Sequence, residues 1–264
     1  MGLYLLKVYF SLTCCTVPGI MLKSLTSFLF LLPSLTAFPQ PIQDTTFLVK
    51  AIQNSINAYR QSIGSQAKIN NGSKYLPPKE TDDHHPYFLS EDWLVGNVVY
   101  DEEQFDNVPL MFDILHSRLV TEHSSSGHAI QLIVDKLDQF TIAGHTFEKI
   151  DNASVNGSLP NTDFYDILYS GPTRIIAKRQ KILREKIESN EIETLYEERF
   201  RYFLFKNGVF FQVKNKSTVL KILEDQKQPL KKFLKDNHII FSADRESALR
   251  RMAEFYDNAK KGDL

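Results

Sequence analysis

The chain has 264 residues, 42% hydrophobic and 24% charged, with a formal net charge of −1. This is the composition of an ordinary globular protein and excludes a disordered chain. Taken whole, the charge balance gives no long-range attraction to nucleic acid or to an anionic membrane.

The first predicted element is an address. From Met21, Lys23 supplies a basic start, residues 25–32 an apolar run broken only by Thr26 and Ser27, and Pro33 a helix stop. Ser34-Leu35-Thr36-Ala37 then sets small residues at a cleavage point. That three-part order is a secretory signal peptide over residues 1–37. The apolar run is too short to cross a bilayer, which takes about 20 residues. A buried N-terminal helix is the competing reading. Met21 reads as a second initiator. The alternatives are one long signal with Lys7 in its basic region, or a retained anchor, which Pro18-Gly19 and Pro33 would interrupt. Cys14 and Cys15, the chain's two cysteines, lie upstream of the cleavage point. The mature chain, 38–264, then has no thiol, no disulfide and no Cys-ligated metal. Losing Lys7 and Lys23 from 31 basic side chains leaves 29 against 32 acidic ones, a net charge of −3.

Residues 46–63 carry Phe47, Val49, Ile52, Ile56, Tyr59 and Ile63 at helical spacing, and Gly64 ends the run. Residues 64–86, rich in Asn, Gly, Ser, Pro and Asp, predict a long connection. From Tyr87 to about Val213 the period becomes two. Strands are expected at 97–100 and 108–112 around a polar turn at 101–107, then at 119–121, 130–134, 140–142 and 145–147, with Ala143-Gly144 as a tight hairpin. Residues 151–162 read as a polar loop, and 164–169 and 174–182 as strands flanking Gly171-Pro172. The strongest hairpin joins 199–206 to 209–213 through Asn207-Gly208, a pair suited to the positive backbone angles of a tight turn. Its aromatics lie on both faces, which predicts core on one side and a helix on the other. Three helices close the chain, capped by Ser217, carrying Pro229 in a first turn, and capped by Asp244. Short strands joined by turns imply an antiparallel sheet. The expected fold is α+β, a mainly antiparallel meander with one N-terminal helix and two to three C-terminal helices packed on it, in a single domain over 38–264.

Chemistry is harder to find. Asp82-Asp83-His84-His85 is the most metal-like stretch, with His116, His123 and His128 as sources of a further ligand, against a solvated polar loop ahead of Pro86. His145, in a hairpin turn, is expected to be exposed and idle. Asp101-Glu102-Glu103 reads as a charged turn. No Gly-x-Ser-x-Gly, Gly-rich phosphate loop or His-Glu-x-x-His occurs, so no cofactor is predicted. Tyr87, Phe88 and Trp93 form an aromatic group that either stacks on a ligand or anchors the chain where it enters the sheet. Seven lysines between 214 and 235 make a basic face, tempered by Glu224, Asp225 and Asp236, and either solvated or in contact with a polyanion. Four Asn-x-Ser sequons, at Asn71, Asn152, Asn156 and Asn215, matter only in a eukaryotic secretory pathway.

Asn71-Gly72-Ser73-Lys74-Tyr75, His85-Pro86-Tyr87-Phe88, Trp93, Gly96-Asn97-Val98-Val99-Tyr100 and Asn107-Val108-Pro109-Leu110 also carry a resemblance. Together with the Lys-rich tail, they resemble a group of exported proteins of unknown function from Bacteroidota-type bacteria, over most of residues 46–260. The resemblance implies a periplasmic or cell-surface location and brings no catalytic residues. The expected role is a non-catalytic binding or envelope-assembly module, with an envelope protein or an apolar or saccharide ligand as partner. No nucleic acid and no stable membrane span after processing are expected. The alternative is an extracytoplasmic metal-dependent hydrolase using Asp82, Asp83, His84 and His85.

Overall fold

The computed structural model describes residues 45–63, 67–78, 85–152, 156–157, 159–188 and 191–262. Residue contacts divide the chain into two units, 1–48 and 49–264. The described part of the first is the opening turn of α1 (Thr45–Ile63), where Phe47 and Leu48 are exposed. In the second, Val49, Ile52 and Tyr59 of the same helix are also exposed.

The fold is α+β, as the periodicities predict. The strands are β1 (Ser73–Lys74), β2 (Leu94–Tyr100), β3 (Glu103–Asp113), β4 (Arg118–Glu122), β5 (Ala129–Gln131), β6 (Leu137–Ile142) and β7 (His145–Ile150). They continue through β8 (Asn156–Gly157), β9 (Asp163–Ser170), β10 (Arg174–Lys178), β11 (Lys181–Glu188), β12 (Glu191–Glu198), β13 (Arg201–Lys206) and β14 (Val209–Val213). The main sheet runs β1-β5-β4-β3-β2-β6-β7-β9-β10-β13-β14-β8, antiparallel except where β8 joins β14 in parallel. β11 and β12 form a separate two-stranded ribbon. α2 (Lys216–Ile222), α3 (Lys227–Asp236) and α4 (Arg245–Gly262) follow. No described helix is long and apolar enough to cross a membrane.

Each half of the sheet buries its own core. In β2–β7 and β9, Phe112, Phe140, Phe147 and Phe164 meet with ring centroids 4.9–6.3 Å apart. In the second half, strand alternation works as the aromatic hairpin predicts. Tyr202, Leu204 and Val213 face Val219, Leu230, Leu249 and Met252 of the helices, while Phe203 and Phe210 pack with Tyr165 and Ile176 on the opposite face. Asn207 and Gly208 adopt φ of 51° and 81°, the turn their dipeptide favours. Gly96 has a different reason to be glycine. A Cβ there would lie 2.0 Å from the Thr141 carbonyl oxygen, beside the irregular pairing of β2 with β3.

Several local expectations are corrected. The 101–107 turn shrinks to Asp101-Glu102, because 103–107 continue β3 against β2. The strand expected over 174–182 breaks at Arg179-Gln180. The β11–β12 ribbon has no counterpart among the sequence predictions. It lies outside the main sheet and carries charges on both strands, so no buried stripe marks it. The cap of α2 is Asn215, whose side-chain oxygen accepts the Thr218 amide at 3.0 Å, not Ser217. Asp244 caps α4 as predicted, accepting the Ser247 amide at 3.0 Å.

Candidate functional site

The break between β10 and β11 reads Lys178-Arg179-Gln180-Lys181, and its three cations are buried. Burying a charge without partners costs several kcal/mol, so each needs a specific cage. Lys178 Nζ lies 2.5 Å from Asp163 Oδ2 and donates to Ser117 Oγ at 3.1 Å. Ser117 in turn donates to Asp163 Oδ1. Arg179 serves two carboxylates, reaching Asp166 Oδ2 through Nε at 2.9 Å and Glu246 Oε2 through Nη2 at 2.8 Å. The rings of Phe88 and Phe200 lie 5.9 and 4.8 Å from its guanidinium carbon. Lys181 Nζ donates to the carbonyls of His85 and Tyr87 at 2.8 and 2.9 Å.

These contacts join four distant pieces of chain. Lys181 holds the 85–88 segment, Lys178 the β3–β4 turn, and Arg179 the start of α4. The β3–β4 turn is itself built on Asp113, buried at the end of β3. One carboxylate oxygen accepts the Leu115 and His116 amides, and the other meets the Tyr75 hydroxyl and His116 Nδ1, all at 2.9–3.0 Å. Ser117, at φ 58°, ends that turn and aims its hydroxyl at Lys178 and Asp163.

A serine beside a buried lysine is a known nucleophile–base pairing. Here the geometry opposes it. The Ser117 proton points to Asp163, and Lys178 donates to the oxygen that a base would deprotonate. Burial lowers the affinity of Lys178 for its proton, and Asp163 pulls the other way. The arrangement is a charge-paired clamp.

His145 is not idle. Its Nδ1 lies 2.8 Å from Asp166 Oδ2, and its ring meets Phe88 edge-on at 5.0 Å. The prediction failed because β7 beside β9 sets this turn residue against the buried carboxylate. Burial raises Glu246, but the bonds and charge of Arg179 outweigh it and leave the carboxyl below its ordinary range. Asp225 is also held well below its ordinary range. Burial raises it, and Lys260, Lys206 and the Tyr256 hydroxyl reverse that. A carboxyl depressed in the folded state contributes stability above its unfolded pKa, and loses it as pH falls through the folded value. The urea midpoint should therefore drop as pH falls from about 5 toward 3, through the ordinary carboxyl range. Glu246→Gln should show a shallower drop; an equal one would remove Glu246 as a source.

The aromatic group does not form a single surface. Tyr87 and Phe88 are buried in different clusters, and Trp93 is exposed. Tyr87 and Phe88 do anchor the chain on the sheet, through a bridge from Tyr87 to Asp113 and a bond from the Phe88 amide to the Phe112 carbonyl. Asp82, Asp83 and His84 lie outside the described residues. His85 is described, and its Nδ1 accepts the Tyr87 amide at 3.2 Å. Burial, then Lys181, lowers its proton affinity. Among the described residues no three His, Cys, Asp or Glu side chains converge on a metal position, and His116 and His123 are engaged by Asp113 and Ser125.

A second feature lies on the surface. Lys214, Lys216, Lys221, Lys227, Lys231, Lys232 and Lys235 are all exposed, and none makes an ion pair among the described residues. With Glu224 and Asp225 the only carboxylates between 214 and 235, seven against two gives a local charge of +5 inside a chain of −1. Beside them an open groove of about 570 Å³ is lined by Val209, Phe211 and Ile222, with Lys206 and Lys221 among its polar neighbours. Lys206 is fixed by the Ile222 carbonyl and Asp225, both at 2.9 Å.

No protein-family model, no curated protein and no solved structure matches this chain.

Proposed function

We propose that the chain is an exported, non-catalytic binding or envelope-assembly module of the periplasm or cell surface, akin to the Bacteroidota-type exported proteins it resembles. Its leader supports the address. One contrast carries the rest: the buried cations hold chain segments together, whereas the seven exposed lysines between 214 and 235 make no ion pair among the described residues. Buried, perturbed groups facing a cleft would favour catalysis. Here Lys178, Arg179 and Lys181 each meet carboxylates, hydroxyls or carbonyls of the chain itself.

Metal content separates this reading from the metal-dependent hydrolase built on Asp82, Asp83, His84 and His85. Purified protein should carry no stoichiometric divalent metal. Stoichiometric metal that disappears in the His84→Ala/His85→Ala variant would install the hydrolase in its place.

A further inference from the structure

We infer that the lysine face of α2 and α3, with the groove beside it, docks on an anionic phospholipid bilayer. The inference rests on the binding-module reading and names its partner. On α3, Leu230 and Leu234 are buried in the helix–sheet core and Phe233 stacks on Phe255 at 4.4 Å. That orientation leaves Lys227, Lys231, Lys232 and Lys235 on one exposed arc. α3 carries four lysines against a single carboxylate, Asp236 in its last turn, whereas a merely solvated helix face usually mixes both signs more evenly. The face belongs to packed helices, so little backbone ordering opposes its binding.

The chemistry favours a bilayer over a folded acidic partner or a nucleic acid. Lysine is a compact point charge that suits a fluid array of phosphate headgroups; planar bidentate recognition of a fixed partner favours arginine, and none occurs between 214 and 235. Apolar side chains border the charges. Phe211 is 37% exposed in the groove, and Ile240, just beyond α3, is 66% exposed. Basic residues beside exposed apolar ones match the headgroup–acyl boundary. Each lysine near an anionic leaflet strengthens binding by about fivefold, and the effect is screened by salt.

The full chain should float with vesicles of phosphatidylglycerol and phosphatidylcholine in equal parts, and not with phosphatidylcholine alone. Lys231→Glu/Lys232→Glu/Lys235→Glu should weaken this by more than the roughly hundredfold that loss of three lysine charges alone gives, with an unchanged unfolding midpoint. The corresponding triple Gln variant should move the same way by less. Ile52→Ser/Ile56→Ser, in α1, should bind as the wild type does. Undiminished binding by both lysine variants overturns the inference, as does loss of binding in the α1 variant alone. Competition by a soluble polyanion such as heparin at equal charge, with no preference for vesicles, overturns it in favour of an acidic macromolecule. If vesicles fail while the processed chain still fractionates with the envelope, the inference falls and the binding-module reading stands.

Discussion

Arg179→Met is expected to destabilise the protein by about 3–5 kcal/mol, the cost of stranding a buried charge by removing its partner. The Arg179 side chain is 4% exposed and Asp166 is fully buried. Methionine fills much of the volume between Phe88 and Phe200 but leaves the Asp166 carboxylate facing Glu246 and His145 without the guanidinium. Arg179→Lys should recover little of the loss, because one ammonium cannot reproduce a planar fork that reaches two carboxylates. Arg184→Met is the control. Its ion pair with Glu197 is on the surface, where such pairs contribute about 0–1 kcal/mol. Urea denaturation monitored by far-ultraviolet circular dichroism measures all three. A cost for Arg179→Met below about 1 kcal/mol, the surface value, would show that the β10–β11 break is no clamp.

Phe112→Ala is expected to cost a similar amount, about 3–5 kcal/mol, for a different reason. The Phe112 ring is 1% exposed, and its centroid lies 4.9 and 5.0 Å from those of Phe140 and Phe147. Removing it opens a cavity in a cluster drawn from β3, β6, β7 and β9, and rings anchored on hydrogen-bonded strands collapse into it only partly. Phe112→Leu should cost less because it leaves a smaller void. Phe211→Ala should stay within about 1 kcal/mol, since its ring already meets solvent. Equal losses at Phe112 and Phe211 in the same denaturation series would mean that the first sheet half has no dominant aromatic core.

What the sequence reveals depends on how local the cause is. Asn207-Gly208 announces its hairpin because two residues set the turn angles. Asp244 announces α4 because a cap acts within one turn. The aromatics of 200–213 announce two covered faces because strand alternation is itself a local rule. Lys178-Arg179-Gln180-Lys181 announces nothing of the kind. Taken alone it reads as the charged end of a strand over 174–182, and its burial depends on Ser117, 61 residues away, on Glu246, 67 residues away, and on the His85 carbonyl, 96 residues away. His145 misleads for the same reason, since its partner Asp166 lies on another strand. The whole-chain charge of −1 conceals a +5 segment because acidic residues elsewhere cancel it.

Export is tested most directly by mass spectrometry of the N-terminus in fractionated cells. A chain beginning at or near Phe38, recovered outside the inner membrane, is the predicted result. Unprocessed chain beginning at Met1 or Met21 in the cytosol would contradict it.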